Sequence, residues 1–210
     1  MLRAACVLPG RCARRCSWRV PLTKRKKGVA YLFPWPRAER RRADRLEHAS
    51  VCPPHLQERL RRLGALVVTQ PPFIYYSGDR YLASVAPQDI PYLYPIGSLC
   101  RRGIPVAGSS DAPVVPMDPL VGVYAAVTRR AETGSPVAPQ EAIAPEQALA
   151  LYTRQAAYAA GMEATLGTLE PRKLADLVLL SRDPTSGDPQ ELLHTQVLMT
   201  ILGGRVVYQA

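Results

Sequence analysis

Past residue 45 the apolar positions change rhythm repeatedly, from helical spacing to short unbroken runs and back. Leu56, Leu60 and Leu63 recur at helical intervals across 54–64 and stop at Gly64, which predicts a helix closed by a glycine cap. Residues 45–50 before it read as the end of a strand. Residues 65–69 after it read as a fully buried parallel strand. A stretch rich in Pro, Gly and Ser with Phe73, Tyr75, Tyr76 and Tyr81 follows, and 71–91 is expected to be a long irregular loop. A short helix over 96–102, stopped by Gly103, leads to a second buried strand at 104–107. Helices are expected at 119–130 and, in a segment rich in Ala, Leu, Gln and Tyr, at 145–160. From Leu166 the pattern turns to strands, at 175–180 and 197–202, with Gly203 and Gly204 as a two-residue turn and 205–208 returning antiparallel. This alternation predicts an α/β fold followed by a separate β unit.

With 210 residues, 47% of them hydrophobic, the chain can bury a sizeable core. Its unbroken apolar runs, such as 65–68 and 177–180, fall far short of the roughly 18–20 residues of a membrane-spanning helix, so no membrane partner is expected. Cys6, Cys12, Cys16, Cys52 and Cys100 make an odd count in a chain too long for a small disulfide scaffold. Free thiols in a reducing compartment, and hence a cytoplasmic location, are expected.

The net charge of +10 invites a nucleic-acid reading until it is mapped. Residues 1–45 hold 14 of the 27 Lys and Arg against two acids, a net of +12; residues 46–210 hold 13 basic and 15 acidic residues, a net of −2. The excess belongs to an irregular leader rather than to a basic face of a folded domain, which argues against nucleic acid as a partner. The leader is open to four readings: an Arg-rich transit peptide poor in serine, a basic patch at 24–27, half of a metal site at Cys12 and Cys16, or sequence joined to a truncated reading frame, the reading favoured here.

Two polar residues stand at the carboxyl ends of expected parallel strands, the edge where α/β barrels and open sheets carry their active sites. They are His48 and Asp111. A lone histidine there serves as a metal ligand, a base or a structural residue, and Asp111 as a ligand, a general base or a turn cap. His55, in the first turn of a helix, and His194, in the β unit, read as surface residues.

Residues 45–50 (RLEHAS), 108–114 (GSSDAPV) with 118–120 (DPL), and 166–180 (LGTLEPRKLADLVLL) resemble, in order and spacing, the C-terminal half of amidohydrolase-superfamily enzymes. The nearest likeness is to amidohydrolase family 3, which includes N-substituted formamide deformylases. That resemblance implies a metal-dependent hydrolase of non-peptide C–N bonds on a (β/α)8 barrel flanked by a small β-sandwich. It implies that His48 is the metal-ligand histidine of barrel strand six, and that Asp111 is the aspartate after strand eight that binds metal and handles the proton of the attacking water. The implied cofactor is a divalent metal, zinc by analogy, and the partner a small-molecule substrate. Tyr75 and Tyr76 would fall where the loop after strand seven shapes the substrate pocket, with plain aromatic loop packing as the alternative for each and no substrate-binding residue assigned.

Some of the family pattern is missing. There is no His-x-His pair, the only histidines are His48, His55 and His194, and the lysines Lys24, Lys26, Lys27 and Lys173 fall on no barrel strand. Arg172 stands where the family has a turn glycine. A full barrel takes about 250 residues, so the expected organisation is a basic leader (1–43), barrel strands six to eight (44–164) and part of a β-sandwich (165–210). Such a truncated chain is expected to be inactive alone and to self-associate through its open barrel edges. The rival reading is a non-catalytic α/β interaction module with a basic arm for nucleic acid or anionic surfaces.

Overall fold

The computed structural model describes residues 44–210; the readings made for the leader, including Cys12, Cys16 and the 24–27 run, lie outside the described residues. Three short strands, β1 (Arg45–Glu47), β2 (Leu66–Thr69) and β3 (Val106–Gly108), pair in parallel in that order. Glu47 lies opposite Val68, and Thr69 opposite Gly108, so all three strands end at one edge. Parallel neighbours need a crossover. The helix α1 (Pro54–Leu63) supplies the first, with proline in its first turn and Gly64 in the left-handed conformation (φ 63°) as its cap. On its inner face Gln57 is buried, donating to the Cys52 carbonyl at 2.7 Å and accepting from Arg102 Nε at 2.9 Å. All four residues of β2 are buried, as a central parallel strand must be.

The second crossover corrects the loop expected at 71–91. Residues Pro72–Ser84 form α2, and only the stretch after it, with a 3-10 turn at Ile90–Tyr92, is irregular. Pro71 and Pro72 suit a helix start, whose first N–H groups bond nothing within the helix. Gly78, which reads as a loop signal, is instead a packing requirement: a Cβ there would meet the Ala131 Cβ at 2.8 Å. Phe73, Ile74 and Gly78 turn one helical face inward. The short α3 (Ile96–Arg101) buries Ile96 and Leu99 and delivers the chain to β3.

After β3, Asp118 caps α4 (Pro119–Thr128) by accepting from Leu120 N at 2.9 Å. Apolar on every side, α4 runs through the core, where Val67, Ile96, Leu99, Val106, Val123 and Leu151 form the main cluster. The single helix expected at 145–160 is two, α5 (Pro145–Tyr152) and α6 (Arg154–Ala160), broken at Thr153 (φ −120°, ψ −99°). The break lets Tyr152 stay wedged against Gly108 and Gly122, where a Cβ would overlap its ring or hydroxyl, while Ala157 packs beneath Gly167.

The C-terminal unit is an antiparallel sheet of β4 (Leu177–Leu180), β5 (Val197–Leu202) and β6 (Arg205–Gln209). Gly203 and Gly204 both take positive φ in the β5–β6 turn, and their N–H groups donate to Asp176 Oδ1 (2.7 Å) and the Ala175 carbonyl (3.0 Å). A 3-10 segment, Pro189–His194, packs on α4, with Gln190 donating to the Tyr124 hydroxyl at 2.8 Å. Arg172 adopts φ 74°, so the turn keeps a glycine-like conformation without a glycine. No helix among the described residues is long and apolar enough to cross a membrane.

Candidate functional site

The carboxyl edge of the parallel sheet gathers polar side chains. His48, directly after β1, is exposed and sits at φ 69°. Its backbone is tied to β2 on both sides, the N–H donating to the Val68 carbonyl at 2.7 Å and the carbonyl accepting from Thr69 Oγ1 at 2.9 Å. Its ring Nδ1 lies 2.8 Å from Oε1 of Gln70, a residue only 2% exposed at the end of β2. A carboxamide oxygen facing Nδ1 requires the hydrogen to be there, whereas a carboxamide NH₂ facing it would require a lone pair on Nδ1. Across β2, Ser109 after β3 donates its N–H to the Thr69 carbonyl at 2.9 Å. The Ser109 hydroxyl accepts from Asp111 N at 3.1 Å, and Val114 N donates to the Asp111 carbonyl at 3.0 Å. Asp111 itself is exposed, at φ 55°. Left-handed backbone at a non-glycine residue is uncommon and costs free energy, yet both candidates have it at strand ends.

Gln70 and Thr69 are the polar neighbours of His48 that sequence reasoning missed. The available signal was a polar pair ending a buried apolar strand and directly preceding two prolines.

On α2, Tyr75 and Tyr76 pack edge to face at 5.0 Å, and Tyr75 meets Tyr124 at 5.7 Å. Burial pushes both hydroxyls above the usual phenol range, and the Asp118 charge adds to this at Tyr76. Cys52 is buried, and its thiol is pushed up to about 11, while burial also raises Cys100. Neither is tuned as a nucleophile. His55 and His194 are exposed on α1 and at the end of the 3-10 segment, consistent with surface roles.

The imidazole and carboxylate at this edge suit a divalent cation. They form only part of a ligand set: no group of three or more His, Cys, Asp or Glu residues able to hold an ion occurs among the described residues.

Comparison with known proteins gives one consistent picture. Residues 29–208 match the model of the amidohydrolase family. The chain is 32% identical over 166 residues to the N-substituted formamide deformylase of Arthrobacter pascens, covering 79% of this chain and 31% of that enzyme. It is 31% identical over 171 residues to the putative amidohydrolase YtcJ of Bacillus subtilis, covering 80% of this chain and 32% of that protein. Among solved structures, an uncharacterized metal-dependent hydrolase from Pyrococcus horikoshii superposes with a TM-score of 0.62 at 28% identity, over 70% of this chain and 30% of that one. A similar hydrolase from Pyrococcus furiosus gives a TM-score of 0.58 at 32% identity, over 68% and 29%. The chain therefore spans about a third of the length of these relatives. By the family model matched across most of its length, the chain belongs to the amidohydrolase family.

Proposed function

We propose that this chain supplies part of the active site of a metal-dependent hydrolase that cleaves non-peptide C–N bonds, amide or formamide in kind. In this reading β1, β2 and β3 are barrel strands six to eight and the C-terminal sheet is part of a flanking β-sandwich. The observation that carries it is the placement of His48 and Asp111 at one edge of one parallel sheet, with the His48 ring oriented by Gln70.

His48 would offer Nε2, and Asp111 a carboxylate oxygen, to a divalent ion, zinc by the family resemblance. When bound, such an ion makes water acidic enough to attack near neutral pH. Asp111, exposed at the sheet edge, accepts the proton of the attacking water and returns it to the leaving amine, so that the nitrogen departs neutral. Tyr75 and Tyr76, half-buried on α2, would offer an aromatic wall to the substrate. A catalytic zinc takes about three protein ligands, and the described residues offer two. The 210-residue chain by itself is therefore expected to bind zinc weakly and to hydrolyse no amide.

The test is co-expression with a fragment of a close relative carrying barrel strands one to five. Zinc-dependent formamide hydrolysis that falls by about 10²-fold or more with either His48→Ala or Asp111→Asn supports the reading. A docked, zinc-loaded pair whose activity is indifferent to both substitutions refutes it.

A further inference from the structure

The strongest unassigned feature is the contact between an exposed ring and a buried amide. Gln70 is 2% exposed, yet its Oε1 lies 2.8 Å from the Nδ1 of exposed His48. An exposed imidazole gains little stability from such a partner, because water would satisfy it equally well. What the contact changes is which nitrogen holds the proton. The neighbouring bonds make it specific: β2 grips the His48 N–H through Val68 and the His48 carbonyl through Thr69, and the Gln70 carbonyl accepts from Phe73 N at 3.1 Å in the lead-in to α2. Backbone and ring of His48 are thus both referenced to β2, the strand between the two candidate donors.

We infer that Gln70 is a positioning residue that holds His48 in the Nδ1–H tautomer and so presents Nε2 as the donor to a divalent metal. This rests on the reading of His48 as a metal donor. Gln70 suits the task because a carboxamide accepts the Nδ1 proton's hydrogen bond without being able to take the proton itself. A turned amide, with its NH₂ against Nδ1, would impose the opposite tautomer and leave no lone pair facing outward. The two arrangements are separable by experiment.

The full 210-residue chain, labelled with ¹⁵N at histidine, is examined by long-range ¹H–¹⁵N correlation at about pH 8, where an ordinary imidazole is neutral. His55 and His194 serve as internal references. Metal-free wild type is expected to show His48 as the Nδ1–H form. Gln70→Met, similar in size but without the acceptor, is expected to shift it toward Nε2–H, and Gln70→Glu, which keeps an acceptor, to restore it. On titration with zinc chloride, the His48 response is expected to require about 10- to 100-fold more zinc in Gln70→Met than in wild type. An Nε2–H ring in wild type overturns the inference even if Gln70→Met does not fold, and so does a Gln70→Met ring that stays Nδ1–H. A wild-type Nδ1–H ring whose Nε2 ignores zinc overturns the metal-site reading and leaves the positioning contact standing.

Discussion

Arg129 gives the sharpest quantitative prediction. It follows α4 with left-handed backbone (φ 54°) and is fully buried. Its guanidinium donates from Nη2 to the Leu93 carbonyl at 2.8 Å, from Nη1 to the Tyr94 carbonyl at 3.2 Å and from Nε to the Val137 carbonyl at 3.1 Å. It thereby ties the end of α4 to the segment leading into α3. Arg129→Met keeps most of the volume and removes all three donors. The Tyr94 carbonyl still accepts from Ile96 N at 2.8 Å, whereas those of Leu93 and Val137 lose the bond described. Two buried carbonyls stripped of partners cost about 2–6 kcal/mol together. Against this, burial holds the guanidinium down to about 10 from 12.5, opposed by nearby Glu141, so its removal offsets part of that cost. The expected net destabilisation is about 2–4 kcal/mol, with Arg129→Lys in between because an ammonium cannot match the planar fork. Urea denaturation of the purified chain measures it. An Arg129→Met midpoint equal to wild type, at equal m-value, would refute the reasoning.

Glu58 on α1 is held down to about 2, from an ordinary 4.5, by hydrogen bonds from Arg61 and then Arg62. Its folded value is depressed, so its contribution is present above pH 4.5 and lost as pH falls toward 2; Glu58→Gln should flatten the acid limb of a stability-versus-pH curve, slightly, since the group is exposed. Arg172→Gly should raise stability by about 1 kcal/mol by removing the left-handed strain, read as a higher urea midpoint; an unchanged or lower midpoint would show a relaxed turn. Among the described residues β1 and β3 each have one unpaired edge, and Val206 and Tyr208 of β6 are about half exposed. The chain is therefore expected to self-associate in light scattering, and a concentration-independent monomer would mean these edges are covered.

Much of the scaffold was legible because its signals are local. Gly64, the apolar run of β2 and the Gly203-Gly204 turn each announce an element through one or two residues whose conformational preferences are strong. The α2 helix was not, because Gly78 and the prolines carry two meanings, turn former and close-packing or helix-start residue, and only the position of Ala131 decides between them. The break at Thr153 was equally hidden, since the Tyr152 wedge depends on Gly108 and Gly122, distant in sequence. The candidates His48 and Asp111 rest on strand-end logic and motif resemblance. Gln70 was overlooked because a buried polar residue at a strand end has no periodic signature, and Arg129 because nothing local marks a cation as buried.

The central claim is that His48 and Asp111 are donors to one divalent ion. Paramagnetic broadening by manganese(II) in the ¹⁵N-labelled full chain tests it most directly, because the effect is local to the ion and needs no catalysis. The amides of His48 and of Asp111 with its flanking loop are expected to broaden at the same manganese additions, and His48→Ala or Asp111→Asn to abolish both effects together. Broadening at only one of the two, or at other carboxylates while these amides stay sharp, would contradict it.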